Sequence, residues 1–165
     1  MTISQMLLPE FDREMAATRK MLAIVPEDKF TWKPHEKSMA LGRLASHVAE
    51  MPGWVGPTIE MDTMEMTPGN KPYLAETTAQ LLADFDKNVA AAHILIEGAS
   101  DETLARDWQF IYGGHKVFGG PKSEVLRGMI MNHHIHHRAQ LGVYLRLQDV
   151  AIPGMYGPSA DEKKS

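Results

Sequence analysis

Four of the eight histidines fall in one heptapeptide, NHHIHHR at 132–138, and imidazoles at that density suit metal binding or proton transfer. Geometry sorts them. On an α-helix, at about 100° per residue, His137 lies about 40° from His133, and Leu126, Ile130, Leu141 and Tyr144 share that side. His133 and His137 therefore sit on the buried stripe, with His134 at about 100° on its edge and His136 at about 300° on the other flank. Residues at i and i+4 have Cβ atoms about 6 Å apart, so the pair can bite one ion. Polar rings centred on an apolar stripe each need a buried partner, and one metal supplies it for both.

An HxxxH pair by itself is more often packing or surface than a ligand pair, so a third ligand on another helix is the deciding feature. His47 fits, because it shares a helical face with Leu44, Met51 and Trp54. Three neutral imidazoles with open positions suit zinc, nickel or another late first-row ion better than calcium or magnesium. Glu50, three residues after His47, reads as either an orienting partner for that imidazole or a solvated carboxylate, the latter being the commoner case. His35, His93 and His115 read as solvated or locally bonded, and the twelve methionines as core filler. Trp54, Tyr73 and Tyr112 are candidate pocket walls and equally ordinary core residues.

Other chemistries are excluded by residue type. The chain has no cysteine, which removes disulfides, thiolate nucleophiles, iron–sulfur clusters and cytidine-deaminase zinc sites. A di-iron carboxylate bundle needs Glu-x-x-His pairs, and Glu124 lies about 180° from the histidine face. There is no HExxH, Walker A loop, nucleophile elbow or dinucleotide glycine fingerprint. A net charge of −4 and a pI near 6.0 give no pull toward nucleic acid or anionic lipid. No leader-like or membrane-spanning apolar run is present, so the chain reads as a cytoplasmic protein that binds neither nucleic acid nor membrane.

The elements that must position the histidines follow from helical periodicity. Ile3, Leu7, Phe11, Thr18, Met21, Leu22 and Val25 mark a first helix over 3–25, stopped by Pro26. A second, over 39–64, carries His47 and kinks or breaks near Pro52. Leu82, Phe85, Val89, Ala92 and Ile96 mark a third over 76–97, ended by Gly98. Residues 101–120 lose helical period, and WQFIYGGHKVFGG reads as a short hairpin or an irregular loop. The fourth helix, 121–147, starts at Pro121 and carries the histidine run, and a Gly- and Pro-rich tail ends in charge. The expectation is an all-α fold, a four-helix bundle of the up-and-down kind with helix order left open, in a single domain over 1–165.

The stretches NHHIHHRAQLGVYLR and LGRLASHVAE, with PEDKF after helix one and PGMYGPSADE near the end, resemble the DinB/YfiT-like superfamily of metal-binding four-helix bundles. The resemblance covers nearly the whole chain and departs at Ala139, where the family usually has Gly. It implies metal ligands at His47, His133 and His137, water in the remaining positions, and commonly a homodimer. Several relatives are transferases or isomerases dependent on low-molecular-weight thiols, so it also implies a metal-activated thiol attacking a small electrophilic substrate. A metal-dependent hydrolase with the same ligands, and a non-catalytic metal or small-ligand binder, are the alternatives.

Overall fold

The computed structural model describes residues 1–162; the charged end expected for the tail, at 163–165, lies outside them. Helix α1, Ile3–Leu22, starts from a reciprocal cap: Thr2 Oγ1 accepts from Gln5 N–H, and Gln5 Oε1 accepts from Thr2 N–H. Its buried residues, among them Leu7, Phe11, Glu14, Thr18 and Met21, recur at three- and four-residue spacing. Helix α2, Leu41–Glu50, gives way at Met51–Trp54 to a 3₁₀ turn containing Pro52, and α3, Val55–Glu60, continues from it. The interruption expected near Pro52 is present.

Strand β1, Thr63–Met66, leads through a loop to α4, Thr78–Gly98, which is capped by the Thr77 side chain. After the short α5, Asp101–Ala105, come β2, Asp107–Tyr112, and β3, His115–Pro121. A rod then runs unbroken through α6, Lys122–Val125, a π-helical stretch, Leu126–Asn132, and α7, His133–Arg146.

The long helices form a ring, with α4 against α1 and α2, and α7 against α2 and α1. Core residues from all four, such as Phe11, Leu44, Phe85 and Leu141, are fully or almost fully buried. The contacts Arg19–Asp86 and Asp12–His93 run α1 antiparallel to α4. By contrast Asn88 bonds Ala49, and Leu95 lies under Gly56, so α2 and α4 run in the same direction. The bundle is not up-and-down, because the chain between α3 and α4 crosses back before the third long helix begins. Among the described residues, no helix is long and apolar enough to cross a membrane.

The all-α expectation is overturned by a three-stranded sheet in the order β1-β2-β3. The hairpin half, β2–β3, is one of the two forms expected of 101–120; it turns through Gly113 and Gly114 at φ 55° and 80°, backbone only glycine adopts cheaply. The other half corrects the helical reading of 39–64 at its C-terminal end. Residues Thr63–Met66 pair in parallel with Gln109–Tyr112, a match to residues more than forty positions away that no local pattern records. Lys122, wholly buried, holds this corner together by donating from Nζ to the carbonyls of Ile59 at 2.9 Å and Met61 at 2.7 Å.

Candidate metal centre

α2 and α7 lie side by side, and they bring His47 across from His133 and His137. The ring centroids are 4.7 Å apart for His47–His137, 5.5 Å for His47–His133 and 4.6 Å for His133–His137. One ring nitrogen from each residue lies within 4.8 Å of the other two.

Hydrogen bonds fix the tautomers. His47 Nδ1 donates to Glu50 Oε1 at 2.8 Å, His137 Nδ1 to Gln140 Oε1 at 2.7 Å, and His133 Nδ1 to the Met129 carbonyl at 3.2 Å. Each ring thus keeps its lone pair on Nε2, and the Nε2 atoms of His133 and His137 face each other at 2.8 Å. Two lone pairs at that distance repel unless a cation lies between them. Zn–N bonds of about 2.0–2.1 Å at a tetrahedral centre place ligand nitrogens about 3.3 Å apart. The observed separations, from 2.8 Å to no more than 4.8 Å, bracket that value, so the donor set fits a divalent transition metal.

One of these acceptors lies where the π-helical stretch ends and the backbone tightens to an i→i−3 bond. The N–H of His133, which an α-turn would direct to Met129, bonds Ile130 instead, and the Met129 carbonyl takes the imidazole. Glu50 also accepts from Arg43 at 3.0 Å, so its carboxylate is held between a guanidinium and an imidazole. The commoner reading of Glu50, a solvated carboxylate, is therefore corrected. Its spacing to His47 was the signal. Burial pushes His137 down to about 4 and lowers His133, helped in both by the facing imidazoles, so both rings are neutral donors at neutral pH.

His134 is fully buried rather than at the edge of the stripe. Its Nε2 bonds Thr18 Oγ1 at 2.8 Å and its ring stacks on Phe85, directed toward α1 and α4 and not toward the other three histidines. Beside it Arg138, 2% exposed, pairs with Glu14, 3% exposed, at 2.7 Å. Tyr156 from the tail closes the cluster by bonding both. Glu14 lies three residues after Phe11 and four before Thr18, squarely on the α1 stripe, and that position was the overlooked signal.

Of the three aromatic candidates, Trp54 stands against the site, with its ring 5.4 Å from that of His47 and 6.0 Å from that of His133. Tyr73 instead donates to Asp84, and Tyr112 is 47% exposed at the hairpin tip.

The DinB family profile matches residues 1–164. A Bacillus subtilis protein described as uncharacterized, YrdA, is 29% identical over 157 residues, which is 94% of this chain and 89% of that one. A DinB-like protein of known structure from Bacillus cereus superposes with a TM-score of 0.71 at 21% identity, over 90% of this chain and 95% of its own. The DinB-like protein YjoA from Bacillus subtilis does so with a TM-score of 0.66 at 21% identity, over 91% and 97%. With the profile matched from end to end, the chain belongs to the DinB family.

Proposed function

We propose that His47, His133 and His137 hold one divalent transition metal, zinc or nickel, and that the protein is a thiol-dependent transferase acting on a small electrophile. The observation that carries this reading is the pair of Nε2 lone pairs facing each other at 2.8 Å, with Nδ1 of all three rings engaged elsewhere. A divalent ion bound there supplies a Lewis acid that lowers the pKa of an exogenous thiol. In the reaction a carbon–sulfur bond forms as the thiolate attacks the electrophilic carbon. The bond to the leaving group breaks with its electron pair, and the thiol proton passes to solvent. Glu50, Gln140 and the Met129 carbonyl keep the three rings in register, and the Trp54 ring shields the His47–His133 edge from water. The absence of cysteine fits a thiol brought from outside the chain. Assembly into a homodimer, implied by the family resemblance, belongs to the same proposal and is checked by light scattering.

Elemental analysis of untagged protein beside His137→Ala tests the centre. About one late transition metal per chain is expected, and none in the variant. Protein that takes up neither zinc nor nickel would remove the proposal. Screening electrophiles with and without added thiol then tests the reaction: turnover of esters or amides without thiol would replace the transferase by a hydrolase on the same ligands.

A further inference from the structure

An apolar chamber of about 220 Å³ adjoins the histidines, with His133 and Trp54 in its wall. Its floor is the sheet. Met64, Phe110 and Phe118 occupy facing positions on β1, β2 and β3, so they form one row across all three strands. Trp108 and Met66 flank the row at alternate positions of β2 and β1. The indole Nε1 of Trp108 is engaged with the Pro57 carbonyl at 3.1 Å, and the Thr58 hydroxyl, on the chamber wall, with the Trp54 carbonyl at 2.8 Å. Among the described residues, no Lys, Arg, Asp or Glu lines the space. All of its unengaged polarity therefore lies at one end, at His133.

We propose that this chamber is the specificity pocket for the electrophile, and that it selects an uncharged substrate carrying one apolar, ring-sized group. The group lies on the Met64–Phe110–Phe118 row and its reactive end emerges at His133. This inference rests on the reading of the histidines as a metal centre. Size sets the class, since a cavity of about 150 Å³ accepts benzene and this one is modestly larger. Charge sets it too: a charged group on the row meets neither a carboxylate nor a basic side chain along the walls, and a cation is disfavoured further by the dication beside His133.

The test uses metal-loaded protein with Trp32→Phe, which removes the indole outside the chamber and leaves Trp54 and Trp108 as reporters. Quenching is followed with 4-nitrobenzyl alcohol and with 4-nitrobenzylamine, an ammonium of the same shape at neutral pH, and bound metal is counted in each sample. The alcohol is expected to bind about tenfold or more tightly than the ammonium. Met64→Glu is expected to weaken the alcohol about tenfold with metal content unchanged. Met66→Glu, two residues along the same strand face, repeats the test should the first variant fold poorly. Equal or tighter binding of the ammonium overturns the proposal by showing an aromatic cage for cations, and so does alcohol binding that neither glutamate disturbs. Protein that takes up no zinc or nickel on loading and still prefers the alcohol supports the chamber and removes the metal centre, so the two failures are distinguishable.

Discussion

Neighbouring residues of α7 serve two polar clusters that solve burial in opposite ways. His134 and Arg138 turn toward α1, where Thr18 and Glu14 provide protein partners and Tyr156 completes the network. His133 and His137, one residue earlier in each case, turn toward α2 and present lone pairs to each other. The first cluster pairs its charges and all but one of its polar atoms within the protein, the exception being the buried His134 Nδ1, whereas the second makes chemical sense around a cation. Polar residues inside a bundle are thus not one category: what separates structure from chemistry here is whether the facing helix supplies protein partners, as α1 does for Arg138 and for His134 Nε2, or only further lone pairs.

Removing one partner from each cluster separates them most sharply. Arg138→Met leaves Glu14 buried without its cation and is expected to destabilise by about 3–5 kcal/mol in urea unfolding. The folded fraction should keep its metal. A Glu14→Leu, Arg138→Met double variant is expected to recover most of that loss, since apolar replacement of a buried pair is often neutral; loss as large in the double variant would show that Tyr156 and Thr18 depend on the charges.

Acid tests the first cluster next. Burial, with the charge of Arg138 added, pushes His134 down to about 3 from an ordinary value of 6.5. Below about 6.5 the unfolded chain takes up a proton that the native chain refuses, so stability falls as pH drops through that value and levels off only near 3. At pH 5 the loss is on the order of 2 kcal/mol. His134→Phe should flatten this part of the profile; an unchanged slope would place the acid sensitivity elsewhere.

The second cluster depends on its outer acceptors. Glu50→Gln removes the charge behind His47, and competition with a chelator is expected to show metal affinity lower by about tenfold. Affinity equal to wild type would make Glu50 a partner of Arg43 alone. As a control outside both clusters, His93 is held above its ordinary value by its bond to Asp12. The pair helps the fold at low pH and ceases to as pH rises through the elevated value. Being largely exposed, it should contribute well under about 1 kcal/mol, so His93→Gln is expected to leave the unfolding midpoint nearly unchanged.

How much of this was legible depended on whether the information was local. Helix one ends near Pro26 as its pattern requires, the break at Pro52 follows from the missing N–H, and the chelate spacing of His133 and His137 survives because both lie beyond the π-helical stretch. His47 is identified by sharing a face with apolar neighbours. By contrast β1 merges into helix two on sequence alone, because TMEM is too short to show alternation and its partner strand lies far along the chain. Centring the stripe on His133, with Leu126 and Ile130 counted in from a segment that does not keep 100° steps, puts His134 at the edge, whereas the buried residues of α7, from His134 and Arg138 to Leu141 and Leu145, centre on His134; Arg138 escapes notice because its partner Glu14 lies on another helix.

The wide turn at Leu126–Asn132 has an evolutionary corollary. It joins a chamber wall, at Val125, Met129 and Ile130, to a ligand-bearing helix whose phase is set separately. Because a π-turn closes over one more residue than an α-turn, a deletion of one residue there would restore ordinary α-turns and leave the wall close to its present phase relative to the histidines. Helix length in such a lineage can therefore change by one residue with the chamber wall and the histidines still facing the same space.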